Sequence, residues 1–198
     1  MTKLAANLTM LFNEVPFLER FGEAAKHGFK GVEFLFPYDF PAEEVAAQLK
    51  AHNLEMVLHN LPAGNWAAGE RGIACHPDRV EEFKAGVDNA ISYAKVLGTQ
   101  RINCLAGIAP AGVSREQAEA TFVANLSYAA DKLKAADLPL LIEAINTFDI
   151  PGFFLSGTQQ ALDIIAKVGS DNLFYQYDIY RQSGQNCPFA VGRQPGAF

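Results

Sequence analysis

Six short apolar runs alternate with five amphipathic stretches along this 198-residue chain, and no other feature restricts the fold as much. Residues 4–8, 31–36, 54–58, 101–105, 138–146 and 172–180 read as strands, each unit with its helix taking roughly thirty to forty residues. Strict alternation with continuous apolar strands predicts a parallel sheet covered by helices, as either a (β/α) barrel or a doubly wound open sheet. No GxGxxG follows the first strand, so a dinucleotide-binding Rossmann domain loses its best support.

The helical stretches carry local start and stop signals. The first follows Asn13 with Pro16 in its opening turn, aligns Phe17, Phe21, Ala24 and Ala25 on one face, and ends by Gly28. The second spans about 41–51, and the third, 78–97, places Val80, Phe83, Val87, Ile91 and Ala94 at spacings of three and four before Gly98. Ser114 with Gln117 forms a capping box ahead of the stripe Phe122, Leu126, Ala129 and Leu133. Ser156 with Gln159 offers a second, leading through Leu162, Ile165 and Val168 to Gly169.

Polar groups gather where the apolar strands end: Glu33, His59, Asn103, Glu143 with Asn146, and Asp178. Such a ring at the C-terminal ends of strands is what a barrel active site requires. The run LPLLIEAIN (138–146) delivers the carboxylate of Glu143 and then Asn146, and NLFYQYDIY (172–180) presents Asp178. Two strands that each offer an acid at that end point to oxygen ligands for a divalent metal. Between the third strand and the third helix lies the long loop 59–77, HNLPAGNWAAGERGIACHP. Loops of that length in a compact domain are functional or disordered, and its lone tryptophan favours order.

A formal charge of −6, from 16 Lys+Arg against 22 Asp+Glu, argues against nucleic acid as the partner. Three widely spaced cysteines without a CxxC suggest neither a disulfide framework nor a zinc knuckle, and fit a reducing cytoplasm. The N-terminus does not read as a signal peptide, and no stretch approaches the ~20 apolar residues of a membrane span.

The segments AANLTMLF, GVEFLFPYDF, HNLPAGNWAAGERGIACHP, EAINTFDIPGFFL and QYDIY resemble the hydroxypyruvate isomerase family within the xylose-isomerase-like TIM barrels, over about residues 4–180. That resemblance implies interconversion of hydroxypyruvate and tartronate semialdehyde, an aldose–ketose type proton shift through an enediolate. It also implies a divalent metal, Mg or Mn, with Glu143 as ligand and base and Asp178 as second ligand. The family's remaining two ligands lie after a seventh and an eighth strand, which this sequence does not contain. A complete barrel takes about 250 residues. The expected fold is therefore an α/β TIM (β/α) barrel, incomplete with about six strands, over 1–180, followed by an irregular tail at 181–198 that is unlike the family. Arg181 stands where the family usually has His, and the abrupt end of the match suggests a truncated, frame-altered or differently spliced chain.

Each candidate has a competing structural role. Glu143 could cap the next helix or pair with a base, and Asp178 could be solvent-exposed. Asp149 matches a substrate-contacting acid of the sugar-epimerase relatives, or is an Asx-turn residue before Pro151. His59 can donate to a substrate oxygen or be a hydrogen-bonded structural histidine. Glu70 and Arg71 can clamp a carboxylate, Arg being suited to bidentate binding, or form a surface ion pair. His27, His52 and His76 are expected to face solvent, and Cys104 to lie in the core.

The expected partner is a small hydroxy-oxo acid. Open sheet edges further predict a homo-oligomer. Alternatives are a truncated barrel that only binds, and a 2-oxo-tetronate or sugar isomerase or epimerase. A DNA-repair endonuclease of the same superfamily would need a His-rich zinc site and a basic surface, and four histidines with a net acidic charge argue against it.

Overall fold

The computed structural model describes residues 3–182, with side chains to residue 180. Six parallel strands form one sheet in sequence order: β1 (Ala5–Asn7), β2 (Gly31–Glu33), β3 (Glu55–Asn60), β4 (Ile102–Cys104), β5 (Leu140–Glu143) and β6 (Leu173–Gln176). The helices are α1 (Arg20–Lys26), α2 (Ala42–Ala51), α3 (Val80–Leu97), α4 (Arg115–Lys134), α5 (Thr158–Val168) and the single turn α6 (Ile179–Gln182). Neighbouring strands that are also consecutive in the chain, each joined by a helix, are the successive βα units of a barrel wall. Among the described residues, β1 and β6 are the two edges. No described helix is long and apolar enough to cross a membrane.

The core lies between the sheet and the helix layer. One apolar cluster joins β1, β2 and β3 to α1 and α2 through Ala6, Phe21, Val32, Val45 and Met56. A larger one joins β4, β5 and β6 to α3, α4 and α5 through Val87, Ile102, Phe122, Ile142 and Ile164. Successive strand residues point to opposite faces, so the residues between these core positions face the lumen. Asn7 and Glu33 are in register there, and Asn103 lies beside Leu141.

Most of the local signals hold, and three differ. The Ser114–Gln117 capping box forms with both of its reciprocal bonds. The first helix starts later than the sequence suggests: a 3-10 turn at Phe17–Glu19 precedes α1, and Asn13 bonds the Met10 carbonyl. Ser156 does not cap α5. Gly157 is the N-cap, and Gln160 holds the turn by accepting from the Ser156 N–H at 3.1 Å and donating to the Phe154 carbonyl at 2.9 Å. The buried face of α5 is accordingly Ala161 and Ile164, while Leu162 is exposed. The sixth strand is shorter than expected, leaving Asp178 in the connection to α6. That helix takes in residues 181–182 of the expected tail, and residues 183–198 lie outside the described residues.

Candidate active site

The lumen-facing ends of the strands carry polar side chains in register pairs. Asn7 stands beside Glu33, Asn60 beside Asn103, and Glu143 beside Gln176, so all six strands contribute. Asn7 Nδ2 donates to Glu33 Oε1 at 3.0 Å, and Asn103 Nδ2 donates to Asn60 Oδ1 at 3.1 Å. Asn60 Nδ2, Asn103 Oδ1 and Gln176 Oε1 are buried and have no hydrogen-bond partner among the described residues. Buried polar atoms are normally satisfied, so this polar wall is suited to ordered water or a polar ligand.

Glu143 is buried at 8% exposure at the end of β5, and Asp178 follows β6. Burial raises the Tyr175 hydroxyl above its usual range, and the Glu143 and Asp178 charges add to the effect, so both acids act on one neighbourhood. Two carboxylates can hold Mg or Mn with water and substrate oxygens completing the shell. Among the described residues, no three His, Cys, Asp or Glu side chains come together to hold an ion.

The loop after β5 is built around Asn146, which is buried. Its Oδ1 accepts the backbone N–H groups of Phe148 and Asp149, at 3.0 and 2.9 Å, and its Nδ2 donates to Asp149 Oδ2 at 2.9 Å. This is an Asx turn whose side-chain acceptor is Asn146 rather than Asp149, and it holds the exposed Asp149 carboxylate in place.

His59 lies on the face of the sheet opposite to the one expected of a substrate donor. The β2–β3 register runs Val32 with Met56 and then Glu33 with Leu58, so one residue of β3 is bulged out. A one-residue slip exchanges the faces of every residue beyond it. His59 therefore shares the core side with Ile102, and Asn60 takes the lumen position beside Asn103. The imidazole is fully buried, its Nδ1 is 3.2 Å from Thr99 Oγ1, and burial lowers its pKa to about 4.

Glu70 and Arg71 do not pair with each other. Glu70 accepts from Arg79 and from the Asn65 N–H, and Arg79 also grips Glu82 through Nε at 2.8 Å and Nη2 at 2.7 Å. The Arg79 hydrogen bond holds Glu70 below the usual carboxylate range. In place of the expected substrate clamp, Glu70 staples the loop to the first turn of α3.

The Arg71 guanidinium stacks over Trp66 at 4.2 Å, and its Nη1 donates to the carbonyls of Trp66 and Glu70, at 3.1 and 2.8 Å. No described residue takes its Nε–Nη2 edge. Arg71 lines a cavity of about 220 Å³ with Glu70, Gly72, His76 and Ile108. His76 is half-buried with its Nε2 2.8 Å from the Ile108 carbonyl oxygen, rather than facing solvent.

These loops interlock. Gly72 and Gly107 both have positive φ, +119° and +95°, and their backbones touch: a Cβ on Gly72 would sit 2.4 Å from the Leu105 carbonyl oxygen. Ile108 bridges to Phe153, which fastens the loop after β4 to the loop after β5. Cys75 and Cys104 lie buried beneath, and burial pushes the Cys75 thiol up to about 12, which leaves it unreactive.

Of the residues singled out from sequence, the structure brings Glu143 and Asp178 into one neighbourhood. Asp149 and Arg71 stand on the surrounding loops, and His59 and Glu70 serve the framework. Asn7, Asn60 and Gln176 were not singled out, although each stands at the end of its strand, the position that identified Glu143.

Residues 21–186 match the family model described as xylose isomerase-like TIM barrel. The chain is 60% identical over 180 residues to the hydroxypyruvate isomerase of Escherichia coli, covering 91% of this chain and 70% of that protein. It is 45% identical, with 91% and 69% coverage, to the 2-oxo-tetronate isomerase of Cupriavidus necator. Among solved structures, one described as an AP endonuclease of family 2 from Brucella melitensis superposes with a TM-score of 0.92 at 45% identity, over 96% of this chain and 73% of that one. The D-psicose 3-epimerase of Clostridium cellulolyticum shares the fold at a TM-score of 0.73 and 16% identity, over 93% of this chain and 66% of that one.

Proposed function

Since the chain belongs to the xylose isomerase-like TIM barrel family, we propose that it is an isomerase of a small hydroxy-oxo acid, interconverting hydroxypyruvate and tartronate semialdehyde. The observation that carries this reading is the 60% identity to the E. coli hydroxypyruvate isomerase, joined to a buried carboxylate, Glu143, at the lumen end of β5. The reaction moves one proton from C3 of hydroxypyruvate to C2, while the hydroxyl and carbonyl oxygens exchange roles through an enediolate. Glu143 is suited to take the proton from C3 and return it to C2. The polar wall and the Arg71 edge are suited to the oxygens and the carboxylate of the substrate.

Glu143 and Asp178 would hold the divalent ion, Mg or Mn, that family membership implies. When bound, that ion would stabilise negative charge on the substrate oxygens. The described donor set gives two ligands and no cluster of three. A second reading is that the barrel binds the oxo acid without turning it over. The 45% identical relative adds 2-oxo-tetronate as an alternative substrate for the first reading.

Turnover of hydroxypyruvate, assayed with Mg²⁺ and Mn²⁺ and compared with 2-oxo-tetronate, separates these possibilities. Activity lost in Glu143→Gln supports the isomerase. Hydroxypyruvate binding without turnover by the folded wild type supports the binding reading, and the absence of both overturns the proposal.

A further inference from the structure

Across the sheet from Glu143, a second lumen-facing carboxyl is prepared in a different way. Glu33 ends β2 in register with Asn7, and a relay of bonds fixes that pair. Thr9 Oγ1 accepts the Leu35 N–H at 2.9 Å, Asn7 Oδ1 accepts the Thr9 N–H at 3.0 Å, and Asn7 Nδ2 donates to Glu33 Oε1 at 3.0 Å. One carboxyl oxygen is thus held, while Oε2 has no hydrogen-bond partner among the described residues. Glu33 makes no salt bridge with a described residue either, although it is half-buried. A structural carboxyl in such a place is normally paired, and an unpaired one in a cleft marks a functional position.

We propose that Glu33 is a further substrate-contacting residue, whose Oε2 hydrogen-bonds an oxygen of the small hydroxy-oxo acid held between the Asn7–Glu33 pair and Glu143. The inference rests on the isomerase or binding reading given above. Along the sheet, four strand spacings of about 4.8 Å separate β2 from β6. The Asp178 charge nevertheless acts on the Glu33 carboxyl. The sheet therefore curls enough for Glu33 and the β6 end to face one lumen, and a small acid can reach both walls.

The surroundings also act on the Glu33 carboxyl. Burial raises its pKa most, the Asn7 bond opposes this, Asp178 raises it further and Arg101 lowers it, with a net upward result. A protonated carboxyl at this position can donate a hydrogen bond to an oxygen that gains negative charge, as neutral carboxylic acids do in other enolising sites. Gln at the same position keeps a donor, whereas Ala keeps none.

The test is titration calorimetry of hydroxypyruvate with the wild type, Glu33→Gln, Glu33→Ala and Asn7→Ala, each checked for folding by circular dichroism. The expected result is near-wild-type affinity for Glu33→Gln and a loss of about tenfold for Glu33→Ala. Asn7→Ala, which leaves the carboxyl in place but unheld, is expected to fall between them, and this comparison stands if Glu33→Ala does not fold. A folded Glu33→Ala with wild-type affinity would show the pair to be a strand tie only and overturn the inference, leaving the functional reading intact. Equal losses in Glu33→Gln and Glu33→Ala would overturn the donor role. A wild type that does not bind hydroxypyruvate would overturn the functional reading itself, and this inference with it.

Discussion

Asn146 holds Asp149: the amide of one donates to the carboxylate of the other at 2.9 Å, and the same side chain accepts two backbone N–H groups of the turn between them. Asn146 is buried and Asp149 exposed, so an interior residue sets the position of a charge on the site's rim.

Replacing Asn146 with Ala removes three hydrogen bonds from this turn. A loss of about 1–3 kcal/mol in stability is expected, together with weaker hydroxypyruvate binding because Asp149 is no longer held. Urea denaturation and calorimetry measure the two effects. Reduced stability with unchanged affinity would show that Asp149 does not meet the substrate.

Gly72 and Gly69 both have positive φ, but only Gly72 is crowded by backbone. Gly69→Ala is expected to cost about 1–2 kcal/mol, the penalty of a left-handed residue alone. Gly72→Ala adds a clash with the Leu105 carbonyl and is expected to cost about 3 kcal/mol or more. Equal unfolding midpoints for the two variants would refute the interlocking of the loops after β3 and β4.

Acid should destabilise the fold through His59. Its folded-state pKa of about 4 lies below the ordinary value of 6.5, so the unfolded chain takes up the proton first. The stability contributed by the neutral, buried form is fully present above pH ~6.5. It is lost as the pH falls toward 4, by about 3 kcal/mol in total. In His59→Gln the difference in stability between pH 7 and pH 4 should shrink by a comparable amount, and an unchanged difference would contradict the assignment.

The sheet edges carry exposed apolar side chains, among them Leu4 beside β1, Phe174 on β6 and Ile179 on α6, with exposures of 72%, 47% and 67%. Unpaired edges flanked by apolar surface promote association. Sedimentation velocity at increasing concentration is expected to show self-association that Phe174→Lys and Ile179→Glu reduce. A wild type that stays monomeric throughout would remove the case for a homo-oligomer.

Much of the fold was legible because its signals are local. Apolar runs of strand length, stripes at helical spacing and the Ser114–Gln117 capping box each depend on residues a few positions apart, and the parallel sheet follows from their alternation. The acids at strand ends were legible in the same way, since Glu143 ends an apolar run and Asp178 follows one closely. The α5 start was misread by a position because Gly157 and Gln160 do the work that Ser156 and Gln159 resemble.

By itself, the sequence determined the order of βα units, the placement of Glu143 at the end of β5 and of Asp178 just after β6, and the resemblance to one family of isomerases. Only the tertiary structure decided which face each polar residue takes and what it meets there. A single bulge in β3 sends His59 into the core and Asn60 into the lumen. Glu70 belongs to Arg79, nine positions away, rather than to its neighbour Arg71. Asn7 and Glu33, 26 residues apart, meet only through strand pairing. The physical reason is common to all three: side-chain direction in a sheet depends on register, and ion-pair choice on the folding of a loop. Both are set by contacts between segments far apart in the chain.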